Sequence, residues 1–380
     1  MTPGQSTPPI VGVIGGGQLA RMMAAPAGAL GIHIRLLAES AHECATEVIA
    51  DVVVGDFRDY ESLKTFVSSC DVVTFDHEHV PNALLRRLAS EGMEAKLQPG
   101  PNALQYAQEK VKMRELVSPD LSPRWKQVAH IDEARDFGFP LVAKSLIGGY
   151  DGKGVWRVES EAELSELLRH GGLLLEELVP FDAEISVLVA RSPHGQAAVW
   201  AVTETIQENG ICVQTVTPAS QLSDELAGKA QSIALKIAEQ TGVVGVMAVE
   251  MFVVGERLLV NELAMRPHNS GHWSIEGAIT SQFEQHLRAV LDLPLGATEM
   301  RARHVVMGNI LGGDKADLHR AFLHLFARDP GLKVHLYGKE VRPGRKVGHV
   351  TLLGEDAKRL RARAFHATEF FAGRVGEHDE

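Results

Sequence analysis

The segment that most constrains the fold is Met247-Ala-Val-Glu250-Met-Phe-Val-Val-Gly255-Glu256-Arg257-Leu-Leu-Val-Asn261-Glu262-Leu263. Two apolar runs rich in β-branched residues flank a Gly-Glu-Arg turn, which is typical of a β-hairpin. A two-residue loop, Gly255-Glu256, places Glu250 opposite Asn261, whereas a three-residue loop places it opposite Glu262. We expect the second register.

Two facing carboxylates in an apolar hairpin repel each other, at a cost of up to about 1 kcal/mol, unless a divalent cation lies between them. Oxygen ligands that leave room for phosphates favour Mg²⁺. Glu250 and Glu262 are therefore predicted metal ligands. The alternative is a solvated pair of strand-end acids.

A polar loop follows the hairpin directly, Arg266-Pro-His268-Asn269-Ser270-Gly-His272. His268 and His272 have the spacing of a helical zinc pair, but the Pro, Asn, Ser and Gly around them disfavour a helix and therefore zinc. An arginine and amide donors on this loop suit an oxyanion that forms next to a γ-phosphate.

A second motif joins a strand lysine to a glycine loop. Pro140–Lys144 is a short β-like run, and Ser145–Val155 follows it with glycines at 148, 149, 152 and 154. Such a loop lets backbone N–H groups converge on phosphate oxygens, and Lys144 adds a positive charge. It is not a Walker motif, because Gly154 rather than a hydroxyl residue follows Lys153. An ordinary mobile hairpin is the alternative.

The run Leu173–Val179 is predicted to be a buried strand that ends in Glu176 and Glu177, and Glu184 follows it. Backbone groups at such a strand end suit an adenine edge, and one carboxylate suits the ribose hydroxyls.

At the N-terminus, Ile10–Ile14 leads through Gly15-Gly-Gly17 into a predicted helix starting near Gln18. This turn fits an anion site or a dinucleotide fingerprint, with Glu39 in the ribose-binding place. An NAD-dependent oxidoreductase explains only this turn, so it is disfavoured. Up to about residue 98 helical patterns alternate with predicted strands at Ile10–Ile14, His33–Ala38, Asp51–Val54 and Asp71–Phe75, which predicts a parallel α/β sheet. Residues 103–117 are predicted to form one connecting helix.

The overall composition indicates which partners and which location to expect. The net charge of −11 disfavours a nucleic-acid partner. No run reaches the roughly 18 to 20 apolar residues of a membrane span, and the first nine residues lack a signal peptide's charged start, so we expect a cytoplasmic protein. The scattered Cys44, Cys70 and Cys212 indicate small core residues rather than disulfides.

The order of glycine turn, lysine with glycine loop, acidic strand end and carboxylate hairpin resembles the ATP-grasp superfamily across nearly the whole chain. Gly15-Gly-Gly-Gln-Leu, Gly149-Tyr-Asp-Gly-Lys-Gly and Asn261–His272 look like the 5-(carboxyamino)imidazole ribonucleotide synthetase family, as do Thr74–Pro81 and Tyr337–His349. The resemblance implies an α/β protein with an ATP-grasp fold, an N-terminal parallel α/β (pre-ATP-grasp) domain and a small C-terminal α+β domain.

We expect four segments. They are an N-terminal α/β domain (1–100), a linker helix with a small ATP-grasp lid (101–186), a large catalytic segment (187–300) and an α+β cap packed on it (301–380). The resemblance implies ATP-dependent carboxylation of 5-aminoimidazole ribonucleotide with bicarbonate, through carboxyphosphate, in purine synthesis. It also implies ATP and Mg²⁺ as cofactors and a homodimer.

The family's functional residues fall on matching positions of this chain. The catalytic set is Arg266, His268, Asn269 and Lys153, with Arg266 stabilising the intermediate. The ATP set is Lys110, Lys144, Gly149, Tyr150, Asp151, Gly152, Lys153, Gly154, Val155, Glu176, Glu177, Leu178, Val179, Glu184, Gln207, Asn261 and Glu262. The ribonucleotide set is Gln18, Leu19, Glu78, Tyr150, Asp151, Lys153, Arg266, Asn269, Ser270, Lys339, Arg345 and Lys346.

Two positions depart from the family pattern. Gln105-Tyr106-Ala107 stands where Asp-Arg-Leu is usual, and Gln207 replaces a histidine expected to contact ATP. The remaining alternatives are a formate-dependent glycinamide ribonucleotide transformylase and a non-catalytic nucleotide sensor.

Overall fold

The computed structural model describes residues 8–148 and 154–376. The strands are β1 (Ile10–Ile14), β2 (His33–Ala38), β3 (Asp51–Val54), β4 (Val72–Phe75), β5 (Trp125–Val128), β6 (Leu141–Ser145), β7 (Val155–Val158), β8 (Leu173–Glu177), β9 (Ala183–Arg191), β10 (Ala197–Val199), β11 (Thr203–Glu208), β12 (Ile211–Thr217), β13 (Gly245–Val254), β14 (Arg257–Ala264), β15 (His304–Leu311), β16 (Lys333–Leu336) and β17 (Lys346–Gly354).

The α-helices surround these strands. They are α1 (Gln18–Leu30), α2 (Tyr60–Ser68), α3 (Asn82–Leu88), α4 (Pro101–Gln108), α5 (Lys110–Leu116), α6 (Glu161–Leu168), α7 (Asp224–Thr241), α8 (Ser274–Gly277), α9 (Gln282–Val290), α10 (Ala321–Arg328) and α11 (Ala357–Ala372). No helix in the described ranges is long and apolar enough to cross a membrane.

The N-terminal sheet is parallel, with strand order β3-β2-β1-β4. The predicted strands of this region occur as expected, because each is a short apolar run between turn residues and helices. A parallel sheet brings the carboxyl ends of β1 and β4 to one edge, where ligands of open α/β sheets bind. The glycine turn after β1 and the Asp76–His79 segment after β4 therefore lie side by side.

A small antiparallel sheet, β5-β8-β6-β7, lies within the segment that is predicted to be the lid. The larger sheet runs β14-β13-β9-β11-β12-β15-β17-β16, with β10 paired to β9. Since β15 bonds to β12, the strands of the C-terminal segment extend the central sheet instead of forming a sheet of their own. The expected boundary at residue 186 falls inside β9, so the structure places the change between lid and central sheet before that strand.

The predicted connecting helix over residues 103–117 is wrong as a single helix. It breaks into α4 and α5 at Glu109, which has extended backbone angles (φ −118°, ψ 100°) and a β-bridge to Ile147. The N–H of Lys110 donates to the carbonyl of Leu146 at 3.1 Å. This bonding to the lid strand outcompetes helix continuation and turns Lys110 toward the glycine loop.

One apolar core joins the N-terminal domain to the central sheet. It includes Phe75 of β4, Leu104 of α4, Val187 of β9 and Met247 of β13, all fully buried. Packing of this kind holds the edge of the N-terminal sheet against the loop that follows β14.

Candidate active site

The carboxylate hairpin has the expected pairing for an unexpected reason. Glu250 lies opposite Glu262, yet Val254 pairs with Arg257, so the loop is the two-residue Gly255-Glu256. A β-bulge restores the register, because Met251 pairs with Val260 and leaves Asn261 as the extra residue. The prediction of facing carboxylates is confirmed, whereas the predicted three-residue loop is wrong.

The two carboxylates form a site that suits a cation. Burial, together with the nearby charges of Glu262 and Glu184, raises the pKa of Glu250 to about 8, while Lys346 and Arg266 act to lower it. Adjacent acids that resist joint ionisation are stabilised by a divalent ion, and an all-oxygen donor set fits Mg²⁺. Glu250 and Glu262 are the residues that would hold it.

Lys144 sits at the centre of a buried charge network. Its Nζ lies 2.8 Å from Glu176 Oε2 and donates to Asn261 Oδ1 at 3.0 Å. The other oxygen of Glu176 accepts from Arg114 Nε at 2.6 Å. Burial acts to raise the pKa of Glu176, but the charges of Lys144 and Arg114 outweigh it and hold that pKa below its ordinary value.

This network changes how the acidic strand end can meet a nucleotide. Since the Glu176 side chain is committed to two cations, only its backbone is available to an adenine edge. Glu177 Oε1 accepts from the N–H of Arg124 at 2.9 Å, which turns its side chain to the lid strand β5. Half-buried Leu178 and Val179 continue the same edge.

Lys110, which is predicted to meet the ATP phosphates, contacts the first glycine of the glycine loop. The Lys110 ammonium donates to the carbonyl of Gly148, and Ser145 N donates to Gly154 O at 2.9 Å. Burial lowers the pKa of Lys110, with Glu262 opposing this effect. Val155 starts β7 opposite Lys144. Five predicted residues lie outside the described part of the chain: Gly149, Tyr150, Asp151, Gly152 and Lys153.

Glu184 of β9 and Gln207 of β11 lie on neighbouring strands and share a side-chain hydrogen bond. Burial raises the pKa of Glu184, and a hydrogen bond from the side chain of Gln207 acts to lower it. Glu184 also contributes to the field at Glu250, so the predicted ribose carboxylate lies close to the metal acids. Gln207 therefore replaces the expected histidine with an amide that orients Glu184.

The loop after β14 is anchored to the N-terminal domain. Arg266 Nε donates to Glu78 Oε2 at 2.7 Å, and Met265 N donates to Glu78 Oε1 at 3.0 Å. Burial acts to lower the pKa of Arg266, but Glu78 and the neighbouring acids raise it above its ordinary value. Arg266 is thus a fixed cation beside Glu250 and Asp76.

His268 is neutral at this site. Burial, with Arg266 and Lys346, lowers the pKa of His268 to about 3. Its Nε2 is 3.6 Å from Glu250 Oε1, and its Nδ1 is 2.9 Å from Ser270 Oγ. Ser270 Oγ in turn lies 2.7 Å from Ser186 Oγ on β9, which fixes this loop to the central sheet. Ser270 is almost fully buried, so it supports the loop rather than lining a pocket.

Asn269 is held by Asn309, a residue that no sequence motif singles out. The side-chain amides of Asn269 and Asn309 exchange two hydrogen bonds of 2.8 Å, and Asn309 Nδ2 also donates to Cys212 O at 2.9 Å. Asn309 lies on β15, so the C-terminal segment positions a predicted catalytic amide.

The glycine turn is filled by the protein's own carboxylates. Glu43 Oε2 accepts from Gly16 N at 2.8 Å, and Glu43 Oε1 accepts from Glu39 N at 2.6 Å. The side chain of Glu39 lies 2.5 Å from Arg58 Nη1. Acids at this turn repel a dinucleotide pyrophosphate, which argues against the NAD alternative.

Asp76 caps α1 beside that turn. Its carboxylate accepts from the N–H of Ala20 at 2.8 Å and from the N–H of Leu19. Burial raises the pKa of Asp76 to about 6, against the helix N–H groups and Arg266. The structure therefore places Leu19 outside the predicted substrate pocket, because its N–H is taken and its side chain is buried in the core.

Of the three predicted C-terminal cations, Lys339 and Lys346 interact with residues of the candidate site, whereas Arg345 does not. Lys339 Nζ donates to Gln18 Oε1 at 2.5 Å, which joins the C-terminal segment to the glycine turn. Lys346 begins β17 and acts electrostatically on Glu250 and His268. Arg345 is exposed and donates to Glu340 O at 3.3 Å within its own turn, so the structure does not bring it to the carboxylates.

Sequence reasoning missed Arg114, Asp76 and Asn309 as parts of this site. Arg114 lies four residues after Lys110 on one helix, which is a weak signal that both face the same side. Asp76 stands in the quoted Thr74–Pro81 stretch. Asn309 lies in an apolar strand, where a lone amide signals only that it needs a partner.

Comparison with known families assigns each part of this architecture. Residues 9–108 match the ribonucleotide synthetase preATP-grasp domain, and residues 120–283 match the ATP-grasp domain. Residues 305–363 match the phosphoribosylaminoimidazole carboxylase C-terminal domain. The fold and site thus define an ATP-grasp ligase.

Individual relatives identify the family to which this ATP-grasp ligase belongs. The chain is 47% identical to the N5-carboxyaminoimidazole ribonucleotide synthase of Mycobacterium tuberculosis, over 94% of this chain and 86% of that protein. A crystal structure of the Thermus thermophilus synthetase matches 96% of this chain and 99% of its own, with 38% identity and a TM-score of 0.85. The Aspergillus clavatus synthase in complex with ADP and 5-aminoimidazole ribonucleotide matches 97% and 99%, with 32% identity and a TM-score of 0.86. The chain belongs to the N5-carboxyaminoimidazole ribonucleotide synthase family.

Proposed function

We propose that this chain uses ATP and bicarbonate to carboxylate the exocyclic amine of 5-aminoimidazole ribonucleotide, a step of purine synthesis. The observation that carries this proposal is that the predicted metal carboxylates lie next to the Arg266 loop at the N-terminal sheet. Glu250 and Glu262 lie opposite each other, and Arg266 follows Glu262 on the loop after β14. Glu78 binds Arg266 and so holds this loop against the edge of the N-terminal sheet. A nucleotide triphosphate and a second substrate therefore have adjoining places.

The reaction has two transfers. A bicarbonate oxygen forms a bond to the γ-phosphorus and the bond to ADP breaks, giving carboxyphosphate. The amine nitrogen then bonds to the carboxyl carbon, either of carboxyphosphate or of CO₂ released from it, as phosphate leaves and the amine loses a proton. Mg²⁺ held by Glu250 and Glu262 would neutralise charge on the phosphates.

The chain's own residues supply orientation and charge. Lys144 and Lys110 would meet the phosphates, and Gln207 orients Glu184 toward the ribose. Arg266, with Nε fixed by Glu78 and Nη1 by Pro267 O at 3.1 Å, presents a preorganised cation to a developing oxyanion. Its fixed position costs no reorganisation during reaction.

The ribonucleotide would lie at the edge of the N-terminal sheet. Gln18, Glu78, Lys339 and Lys346 are supported there by their contacts and charges. Tyr150, Asp151 and Lys153 remain predictions for this pocket and for closure of the lid. The four-segment division apart from its boundary at residue 186, the homodimer and the cytoplasmic location also remain predictions.

The test is ADP release with Mg·ATP, with and without bicarbonate and 5-aminoimidazole ribonucleotide. We expect strong stimulation that requires both. Stimulation by glycinamide ribonucleotide with formate instead would support the transformylase. Saturable ATP binding without stimulation by either pair would support the nucleotide sensor.

A further inference from the structure

Arg114 lies at a junction that the reaction scheme does not use. It belongs to α5 between the N-terminal domain and the lid, and only 1% of its surface is exposed. Its Nη1 donates to Val260 O at 2.5 Å and its Nη2 to Asn261 O at 3.0 Å. Its Nε donates to Glu176 Oε1 at 2.6 Å. One guanidinium therefore binds three groups from two other elements.

The carbonyls of Val260 and Asn261, which Arg114 binds, belong to a distorted part of β14. Consecutive carbonyls of a regular strand point to opposite sides, so one planar cation can bind both only where the strand is distorted. Asn261 is the extra residue of the bulge, and Val260 precedes it. β14 is also the edge of the central sheet, so carbonyls on its outer side have no strand to pair with.

The bulge determines whether the carboxylates face each other. Without it, the two-residue loop would place Glu250 opposite Asn261 and turn Glu262 to the other face. Asn261 is also held through Oδ1 by Lys144, which Glu176 connects back to Arg114. The same cation thus supports the carboxylate register and the lysine predicted to meet phosphate.

We propose that Arg114 is a positioning residue that holds the β14 bulge and so keeps Glu250 and Glu262 together as a divalent-cation site. This inference rests on the proposed function only in the identity of the ion. A lysine at this position keeps the positive charge but lacks the planar fork that reaches a carboxylate and two carbonyls.

The experiment compares Arg114→Lys with the wild-type full chain by Mn²⁺ binding in the presence of ADP, followed by electron paramagnetic resonance of the free ion. We expect at least a tenfold increase in the Mn²⁺ dissociation constant, with near-wild-type near-UV circular dichroism. The matched control is Arg363→Lys, because Arg363 makes a bidentate pair with Asp329 (2.8 and 2.6 Å) on the C-terminal helices. Its Mn²⁺ affinity should stay within twofold of wild type.

If Arg114→Lys does not fold, Arg114→Met/Glu176→Met removes both members of the buried pair, which avoids an unpaired carboxylate. The same loss of Mn²⁺ affinity is expected. Unchanged Mn²⁺ binding in a folded Arg114 variant overturns the inference, as does a wild-type chain that binds no Mn²⁺ with ADP. Wild-type turnover that ignores the ribonucleotide would overturn only the proposed function, since ion binding needs no ribonucleotide.

Discussion

Glu250 lies directly opposite Glu262, and the extra residue Asn261 makes this pairing compatible with a two-residue turn. Because burial raises the pKa of Glu250 to about 8, the group is mostly protonated at pH 7 when no cation is bound. Binding a divalent ion then requires loss of that proton.

We therefore expect Glu250→Gln to leave the free energy of unfolding of the ligand-free protein within about 0.5 kcal/mol of wild type at pH 7, because glutamine resembles the neutral acid. The added stabilisation by Mg·ADP, about 2.7 kcal/mol at 100 times its dissociation constant, should be largely lost. Thermal unfolding with and without Mg·ADP measures both. Glu256→Gln, in the exposed turn of the same hairpin, is the control and should keep the stabilisation.

Asn309→Ala should impair turnover more than nucleotide binding. It removes the two hydrogen bonds that hold Asn269 and a third to Cys212 O, each contributing about 1 kcal/mol. We expect kcat for ribonucleotide-dependent ADP release to fall about tenfold or more, while KM for ATP stays within threefold.

Gln214→Ala is the comparison for this variant. It breaks two hydrogen bonds to Arg361 of α11 from a position on the strand next to Asn309, and it leaves the hydrogen bonds to Asn269 in place. Equal losses of kcat in the two variants would show that Asn309 acts through general stability and not through Asn269.

His286 makes stability depend on pH. Its Nδ1 accepts from Val246 N at 2.9 Å, so its Nε2 carries the proton donated to Thr74 Oγ1 at 2.7 Å. Burial lowers the pKa of His286 from 6.5 to about 3. The unfolded chain thus binds the proton more readily, and the contribution of neutral His286, complete above about pH 6.5, is lost as the pH falls toward 3.

At pH 5.5 this contribution should be smaller by about 1.4 kcal/mol than at neutral pH. Urea unfolding between pH 7 and pH 5 should show a steeper decline for wild type than for His286→Gln, since glutamine does not titrate. The exposed His170→Gln is the control. Parallel curves for wild type and His286→Gln would contradict the prediction.

Gly17 precedes α1 and Gly28 lies inside its last turn, in opposite environments. A Cβ at Gly17 would lie 2.1 Å from Asp76 Oδ2, whereas a Cβ at Gly28 meets nothing within 4 Å. Gly17→Ala should therefore displace the Asp76 cap and destabilise the protein by about 1 to 3 kcal/mol. Gly28→Ala should stabilise it by up to about 1 kcal/mol. Chemical unfolding measures both, and a neutral Gly17→Ala would show that Asp76 relaxes without cost.

The predicted elements came from local patterns that survive in the folded protein. Strands β1, β2 and β3 match the predicted bounds, because short apolar runs between turn residues have few alternatives in an α/β sheet. The break at Glu109 could not be predicted locally, since it depends on a backbone contact with Ile147 in the lid.

Local sequence patterns are sufficient to identify the chemical groups of the candidate site and their order along the chain. Lys144, the acids at 250 and 262, and the Arg266 loop each carry a local signal, because strand alternation and turn residues act over a few positions. The way in which these groups are held depends on contacts between distant parts of the fold. Arg114 reaches Val260 and Asn261 across about 150 residues, Asn309 reaches Asn269 from another strand, and Glu43 fills the glycine turn. Such contacts depend on which surfaces pack together, and neither residue spacing nor hydrophobic periodicity encodes that packing.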